Sequence, residues 1–266
     1  MNQRLFRRSL GLCLALAVAV SAFGQGLYWE STRTGSMMGE KSETVKYYYT
    51  PKKFKSATGD SGHVAILRLD KEVMIMLNPK EKTYSEISFA DMEKMVKKSS
   101  AQMDEKMAEL QEKLKNMPEE QRKMVEQMMG NKMPGMKKES KVEVVKSGDT
   151  KKISGYSCSK FVVNQDGKEL LTVWATKDVK DFETIRKDME EFRQRMAAMN
   201  PVMRKGFTEG LKNIDGFPIE TDMGDTMKEV VTKVEKKSIA ASEFEIPGGY
   251  KKVKSPMMEG KEDVIK

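Results

Sequence analysis

With 266 residues, 33% of them charged and 38% hydrophobic, the chain holds enough apolar material for one large domain or two small ones beneath a heavily solvated surface. Its 48 Lys and Arg against 40 Asp and Glu give a formal net charge of +8 at pH 7. Those charges alternate in sign along presumed helices and form no basic stripe interleaved with aromatics, which argues against nucleic acid as a partner.

The first element in chain order is a leader. Arg4, Arg7 and Arg8 precede an apolar run at 10–20 and the small-residue pattern Val20-Ser21-Ala22. That order predicts a secretory signal peptide over residues 1–24. Its apolar part is shorter than the about 20 residues of a membrane span, and no later segment reaches that length without charges. Cleavage after Ala22 or Gly24 leaves Phe23 or Gln25 first, and the mature protein is expected in the periplasm or outside the cell. Cys13 leaves with the leader. Cys158 then stands alone, so no internal disulfide is expected despite an oxidising compartment.

From Leu27 onward the texture is β. Strands are expected at 27–34, 42–50, 63–70, 72–78 and 82–88, with Pro51 and the turn-forming TGDSG between the second and third. VAILRL and VMIML are apolar on both sides, so these strands are expected to be covered on both faces. At Phe89 the period changes. Phe89, Val96, Met103, Leu110 and Met117 recur every seven residues with Met92, Met107 and Leu114 beside them, which predicts an amphipathic helix about 40 Å long. Pro118 starts a second helix carrying Met124, Val125, Met128 and Met129, ended by Gly130-Asn131 and Pro134-Gly135.

Strands resume at 141–146, 156–164 and 169–176, the last two joined by a Gln-Asp-Gly hairpin turn. Another helix follows, with Phe182, Ile185, Met189, Phe192, Met196, Met199 and Met203 stepping by three and four and Pro201 kinking or restarting it. Strands at 219–223 and 227–236 and a last one near Phe244 lead to a charged tail. Helices that interrupt a continuing sheet predict packing on the sheet rather than a coiled coil.

Chemistry-bearing patterns are sparse. His63 is the sole histidine and has no nucleophile motif near it; Cys158 has no histidine partner in sequence and is expected to be a small buried apolar residue. No GxSxG, HExxH, phosphate-loop or paired-cysteine pattern occurs, so the chain is expected not to be an enzyme and to need no cofactor. Methionine is the compositional exception, with 23 residues. The spacing MxxxM at Met124/Met128 and Met129/Met133, among others, suits soft ligands for Cu(I), although the same spacing belongs to any apolar helix stripe. Trp29, Trp174 and the tyrosines at 47–49 and 156 are core residues or pocket walls.

Four stretches carry a resemblance: SGYSCSKFVV, LTVWATKDV, GFPIETDM and SEFEIPGGYKKV, with Gly155, Tyr156, Cys158, Trp174, Pro218, Pro247 and Gly249 as marker positions. Together they resemble the domain-of-unknown-function family 4412 of exported bacterial proteins, which is similar in pattern to periplasmic lipoprotein carriers of the LolA type. The resemblance implies an α+β fold: a curved antiparallel half-barrel sheet, LolA-like, with helices across its concave face; this chain departs from the compact carriers in a long Met-rich helical insertion from Phe89 to Met136. Helices that interrupt a continuing sheet lead us to expect a single domain over 25–266 with helical insertions at about 89–136 and 180–214. The expected function is non-catalytic binding of a lipid, a lipoprotein's acyl chain or another apolar ligand. The helix stripes and the second tryptophan name the expected ligand-binding residues: Met92, Val96, Met103, Met107, Phe192, Met196 and Trp174. The alternatives are a soft-metal binder using Met124, Met128, Met129 and Met133, or a module that grips an envelope protein.

Overall fold

The structure, a computed structural model, describes residues 23–36, 39, 41–59, 62–119, 121, 141–199 and 212–255. In chain order the elements are β1 (Phe23–Thr34), β2 (Glu43–Thr50), β3 (Lys53–Thr58), β4 (Val64–Arg68), β5 (Val73–Asn78), β6 (Thr83–Ser88), α1 (Phe89–Lys115), β7 (Val142–Ile153), β8 (Tyr156–Gln165), β9 (Lys168–Thr176), α2 (Phe182–Met199), β10 (Phe217–Asp222), β11 (Lys228–Ala240), a 3-10 turn (Ala241–Phe244) and β12 (Lys251–Lys252).

Two meanders meet in the middle of one sheet. Strands β1–β6 lie side by side in chain order, β7–β11 do the same, and the runs join where β1 pairs antiparallel with β11. Among the described strands only β12 breaks the antiparallel pattern, lying parallel to β6. Neighbouring strands rotate by roughly 20–25°, and open sheets beyond about ten strands curl. This twelve-stranded sheet is open and curved: Lys151 on β7 reaches Glu220 on β10 at 3.0 Å over the two strands between them.

Local chemistry sets the hairpins. Asp166 and Gly167, between β8 and β9, have φ of 53° and 78°, and Ser154 and Gly155, between β7 and β8, have 49° and 85°. Two central residues with positive φ match the right-handed strand twist, which is why Asp-Gly and Ser-Gly sit there. At the β2–β3 turn, Pro51 presets its own φ and Lys52 takes the positive one, 66°. Gly26 marks a close approach inside β1, where a Cβ would lie 2.3 Å from the Tyr49 carbonyl oxygen. Ser88 caps α1 by accepting the Asp91 N–H at 3.0 Å.

Both faces of the sheet are covered around β4 and much of β5, as the doubly apolar strands predict, although Met76 of β5 is exposed. Leu67 and Met74, directly opposite each other, pack with Phe89 and Met92 from the start of α1. One residue along, Ile66 and Ile75 face the other way and pack beneath Phe244, Ile246 and Tyr250, which follow β11. Phe244 and Ile66 are fully buried. The central core stacks Trp29 on Tyr47, ring centroids 4.9 Å apart, with the Phe217 ring edge-on to Trp29 at 5.5 Å; Ile185 of α2 closes it. Trp29, Tyr47 and Tyr49 are therefore core.

Three expectations are corrected. Lys53–Thr58 is a strand between β2 and β4; its lysines and small residues hide the period, and Phe54 alone reports the buried face. Phe244 lies in the 3-10 turn rather than in a strand, because β11 runs on to Ala240 and the chain then crosses over the sheet. The strand expected at 141–146 continues to Ile153, across a register shift between Lys146 and Thr150 that lets polar residues extend it. Of the Met-rich segment 89–136, the structure describes α1 and the few residues after it; beyond Val96 most described α1 side chains are exposed, Leu114 being buried. The helix expected after Pro118 lies outside the described residues.

Candidate ligand-binding site

α2 is held against the sheet by one buried carboxylate. Asp188 accepts the Tyr49 hydroxyl at 2.7 Å and the Lys52 backbone N–H at 2.6 Å, and the Lys52 ammonium lies 3.2 Å from its other oxygen. Lys52 also contacts Glu191. Burial and the Asp188 carboxylate push the Tyr49 phenol above its ordinary range, so it remains a donor. These bonds fix α2 over the β2–β3 turn, and Ile185, Met189 and Phe192 are the side chains it turns toward the core. Met189 bridges the central core and the cluster beneath α1.

Beside that anchor the helix stands off from the sheet and roofs a hollow of about 1180 Å³. Apolar residues from both elements line the hollow: Leu171 and Val173 of β9 and Phe182 and Met189 of α2, together with Ile214 and Met223. Gly216 forms part of the wall at φ +123°, where a Cβ would meet the Thr176 carbonyl oxygen at 2.5 Å, so only glycine lets the chain enter β10 at this approach. Arg186, Glu190, Arg193 and Lys212 border the same space. Glu190 contacts Arg193 and pairs with Lys212 at 2.9 Å. Burial and the neighbouring Arg186 guanidinium hold Arg193 below the ordinary guanidinium range.

The expected ligand residues divide among several places. Phe192 lines the hollow, with its ring 5.9 Å from Phe89. Met92 is 6% exposed and Val96 half-buried, both in the core patch beneath the start of α1. Met107 is half-buried further along α1. Met103 and Met196 belong to α1 and α2, but their side chains lie outside the described residues, as do Met124, Met128, Met129 and Met133 entirely.

Trp174 is on the other side of β9 from Val173, since successive strand residues alternate. The Lys151 ammonium sits over its ring, 4.2 Å from the centroid. A second hollow of about 570 Å³ opens there, bordered by Lys151, Lys160, Glu220, Asp222 and Lys228 as well as Trp174. Glu220 pairs with Lys151 at 3.0 Å and with Lys228 at 3.3 Å, so the charges of this second hollow are largely spent on one another.

Sequence reading missed Leu171, Val173, Ile214, Arg193 and Lys212. The signal available was strand parity in LLTVWAT: Leu171, Val173 and Ala175 alternate as one buried set, and choosing the tryptophan selected the opposite face. The cations carried no signal, because charges on a helix ordinarily face water.

Among the described residues, the buried polar side-chain atoms outside the border of the α2 hollow have hydrogen-bond partners. Glu229 accepts from Ser31, from Tyr47 at 2.7 Å and from Arg33 at 3.1 Å. Cys158 is 1% exposed, and burial pushes its thiol up. Among the described residues there is no group of three or more His, Cys, Asp or Glu suited to a metal ion. No described helix is long and apolar enough to cross a membrane.

The molecule is an α+β protein whose open, curved sheet carries a hollow roofed by a helix. By sequence it belongs to the family described as domain of unknown function (DUF4412), whose profile matches residues 90–250, well over half of the chain and all of this site. No curated protein matches the chain by sequence. Among solved structures it is similar to an uncharacterized conserved protein from Thermus thermophilus, with a TM-score of 0.43 and 8% identity over 86% of this chain and 90% of that one. Two crystal forms of PNGF-II give TM-scores of 0.37 and 0.38 at 12% and 10% identity. Each match covers 87% of this chain but 31% and 32% of PNGF-II.

Proposed function

We propose that this protein is exported, loses its leader, and binds an apolar ligand, a lipid or an acyl chain, without catalysing a reaction on it. The observation that carries the reading is the hollow of about 1180 Å³ between α2 and β9–β10, with Leu171, Val173, Phe182, Met189 and Met223 lining it. Small-molecule sites are concave, mostly apolar and bordered by a few polar groups, typically about 300–1,000 Å³. Methionine in two walls, Met189 and Met223, suits ligands of variable shape, because an unbranched thioether repacks with little strain. The reading takes the sheet as a carrier-type half-barrel with α1 and α2 lying across its concave face, as in the LolA type.

The test is binding by the mature protein purified from the cell envelope. Solvent extraction followed by mass spectrometry is expected to release acyl-chain lipid, and the delipidated protein is expected to displace a fluorescent apolar probe when an acyl chain is added. Met223→Glu combined with Met227→Glu places charges in the hollow from half-exposed positions and is expected to weaken uptake by about tenfold or more, equivalent to ~1.4 kcal/mol. A protein that takes up neither probe nor lipid overturns the reading.

A further inference from the structure

The hollow beneath α2 has dimensions as well as an apolar lining. Its residues on α2 run from Phe182 to Gln194, a stretch of about 18 Å at 1.5 Å per residue. On the sheet side it takes residues from two strands, Leu171 and Val173 of β9 and Pro218 and Thr221 of β10. Val173 and Thr221 are direct partners across the β9–β10 ladder, so their side chains share one face, and paired strands lie about 4.8 Å apart. The floor is two strands wide. One leaflet of a bilayer, half of the roughly 30 Å hydrocarbon core, is about 15 Å of packed acyl chain, close to the length under α2. A methylene takes about the volume of a molecule of liquid water, so an 18-carbon chain fills on the order of 500 Å³. The hollow, at about 1180 Å³, matches two such chains side by side, and one chain leaves it less than half full.

From this match of length, width and volume we infer that the ligand is a two-chain lipid, its acyl chains lying along α2 over β9 and β10 and joined at one glycerol. The inference rests on the reading of the hollow as the ligand site. A single chain leaves apolar wall facing water, and removing that surface from water favours a second chain beside the first. Joining both chains to one glycerol makes the second insertion intramolecular, which raises affinity without any new contact. Diacylglycerol and phospholipid share this two-chain unit and differ in the head.

The experiment counts bound lipid by native mass spectrometry on the delipidated protein and measures affinity by displacement of an apolar fluorophore. Oleyl alcohol and dioleoylglycerol are added below their aggregation thresholds, and dioleoylphosphatidylcholine is offered as vesicles. The expected result is two oleyl alcohols per protein, or one molecule of either two-chain lipid, with dioleoylglycerol at least about tenfold tighter than oleyl alcohol. Uptake from the vesicles as well as of dioleoylglycerol points to a phospholipid, and uptake of dioleoylglycerol alone to a ligand without the large head. Thr221→Phe combined with Met223→Trp adds bulk from half-buried positions in the hollow. That double variant is expected to hold one oleyl alcohol and to bind dioleoylglycerol about tenfold or more weakly. Met223→Trp alone is the second variant where the double one does not fold, and is expected to weaken dioleoylglycerol about threefold while oleyl alcohol stays bound. Saturation of the unaltered protein at one oleyl alcohol, with no preference for dioleoylglycerol, overturns the two-chain ligand while leaving the apolar site standing. Binding of none of the three overturns both. Two-chain binding unchanged in the folded variants places the chains elsewhere and also overturns the inference.

Discussion

Cys158 shows how a residue type that invites a chemical reading is decided by its surroundings. Its Sγ sits 3.6 Å from the Tyr156 carbonyl oxygen, and burial raises the thiol above its ordinary range. Attack requires the thiolate, so both the small thiolate fraction and the lack of access work against reaction. The expected outcome is negligible labelling of the native protein by a thiol reagent near neutral pH and rapid labelling once denaturant exposes the strand. Fast native labelling would show that β8 opens readily. Trp174 makes the complementary point: an aromatic that looks like a pocket wall is half-covered by Lys151 on the far side of the strand from the main hollow.

At the scale of elements, α2 and the segment after β11 are each fastened by ionic groups that water partly reaches. For α2 the fastening is Asp188. Replacing it with alanine removes the acceptor for the Tyr49 hydroxyl and the Lys52 N–H, and leaving such donors unmatched costs about 1–3 kcal/mol. Asp188→Ala is expected to lower the urea midpoint by that order and to speed amide exchange in 182–195 more than in β4 and β5.

The segment after β11 is held by Arg68, which is buried, grips both Asp70 oxygens at 2.7 Å, and also contacts Glu245 and the Phe244 carbonyl. Arg68 holds the Asp70 carboxyl below its usual range. For Glu245 burial acts upward, but hydrogen bonds from Arg68 and Lys71 prevail and its carboxyl also sits low. Carboxyls depressed in the folded state contribute stability that is complete above their unfolded values, about 4, and is lost as pH falls through the folded values. Acidification below about pH 4 is therefore expected to loosen 241–252 before the sheet opens, seen as early proteolysis or amide exchange confined to that segment. Simultaneous loss of sheet and segment would show that Phe244 and Tyr250 hold it without help from the ion pairs.

For the whole molecule, the central joint is the pairing of β1 with β11, about two hundred residues apart in sequence, with Phe23 opposite Ala240 and Thr34 opposite Lys228. Non-local pairing of this kind delays folding, because loop-closure entropy must be met before the contacts form. The completed sheet then gives a rigid floor, while α1 beyond Val96 has mainly exposed side chains. An exchange gradient follows: β1, β4, β8 and β11 slowest, and α1 from 97 to 113 fastest among the described helices. Binding of an acyl-chain ligand is expected to slow exchange in α2, whose side chains line the hollow. Helices as protected as the strands in the ligand-free protein, with no change on adding ligand, would mean a solid core.

What the sequence by itself determined is what short windows of chain encode. The alternation of strands, the start of the α1 stripe at Phe89, Met92 and Val96, the Asp-Gly turn and the double-sided apolarity of β4 and β5 all depend on neighbours within a few residues, and each is present in the fold. The family was legible for the same reason, because its markers are turn glycines and strand residues whose roles are local. Strand β3 was not, since Phe54 alone carries its pattern, and neither was the crossing segment at Phe244, whose course depends on the sheet beneath it. Only the tertiary structure decided which apolar face became core and which became hollow. Met92 and Leu171 are equally apolar in sequence and both are buried, yet one fills a cluster with Phe89 and Leu67 while the other, packed with Phe161, Val163 and Val173, also borders the hollow beneath α2. Tertiary structure also brought Arg193 of α2 and Lys212 to one mouth around Glu190. Burial and charge pairing are properties of what lies across from a residue, and that is set by contacts between segments far apart along the chain.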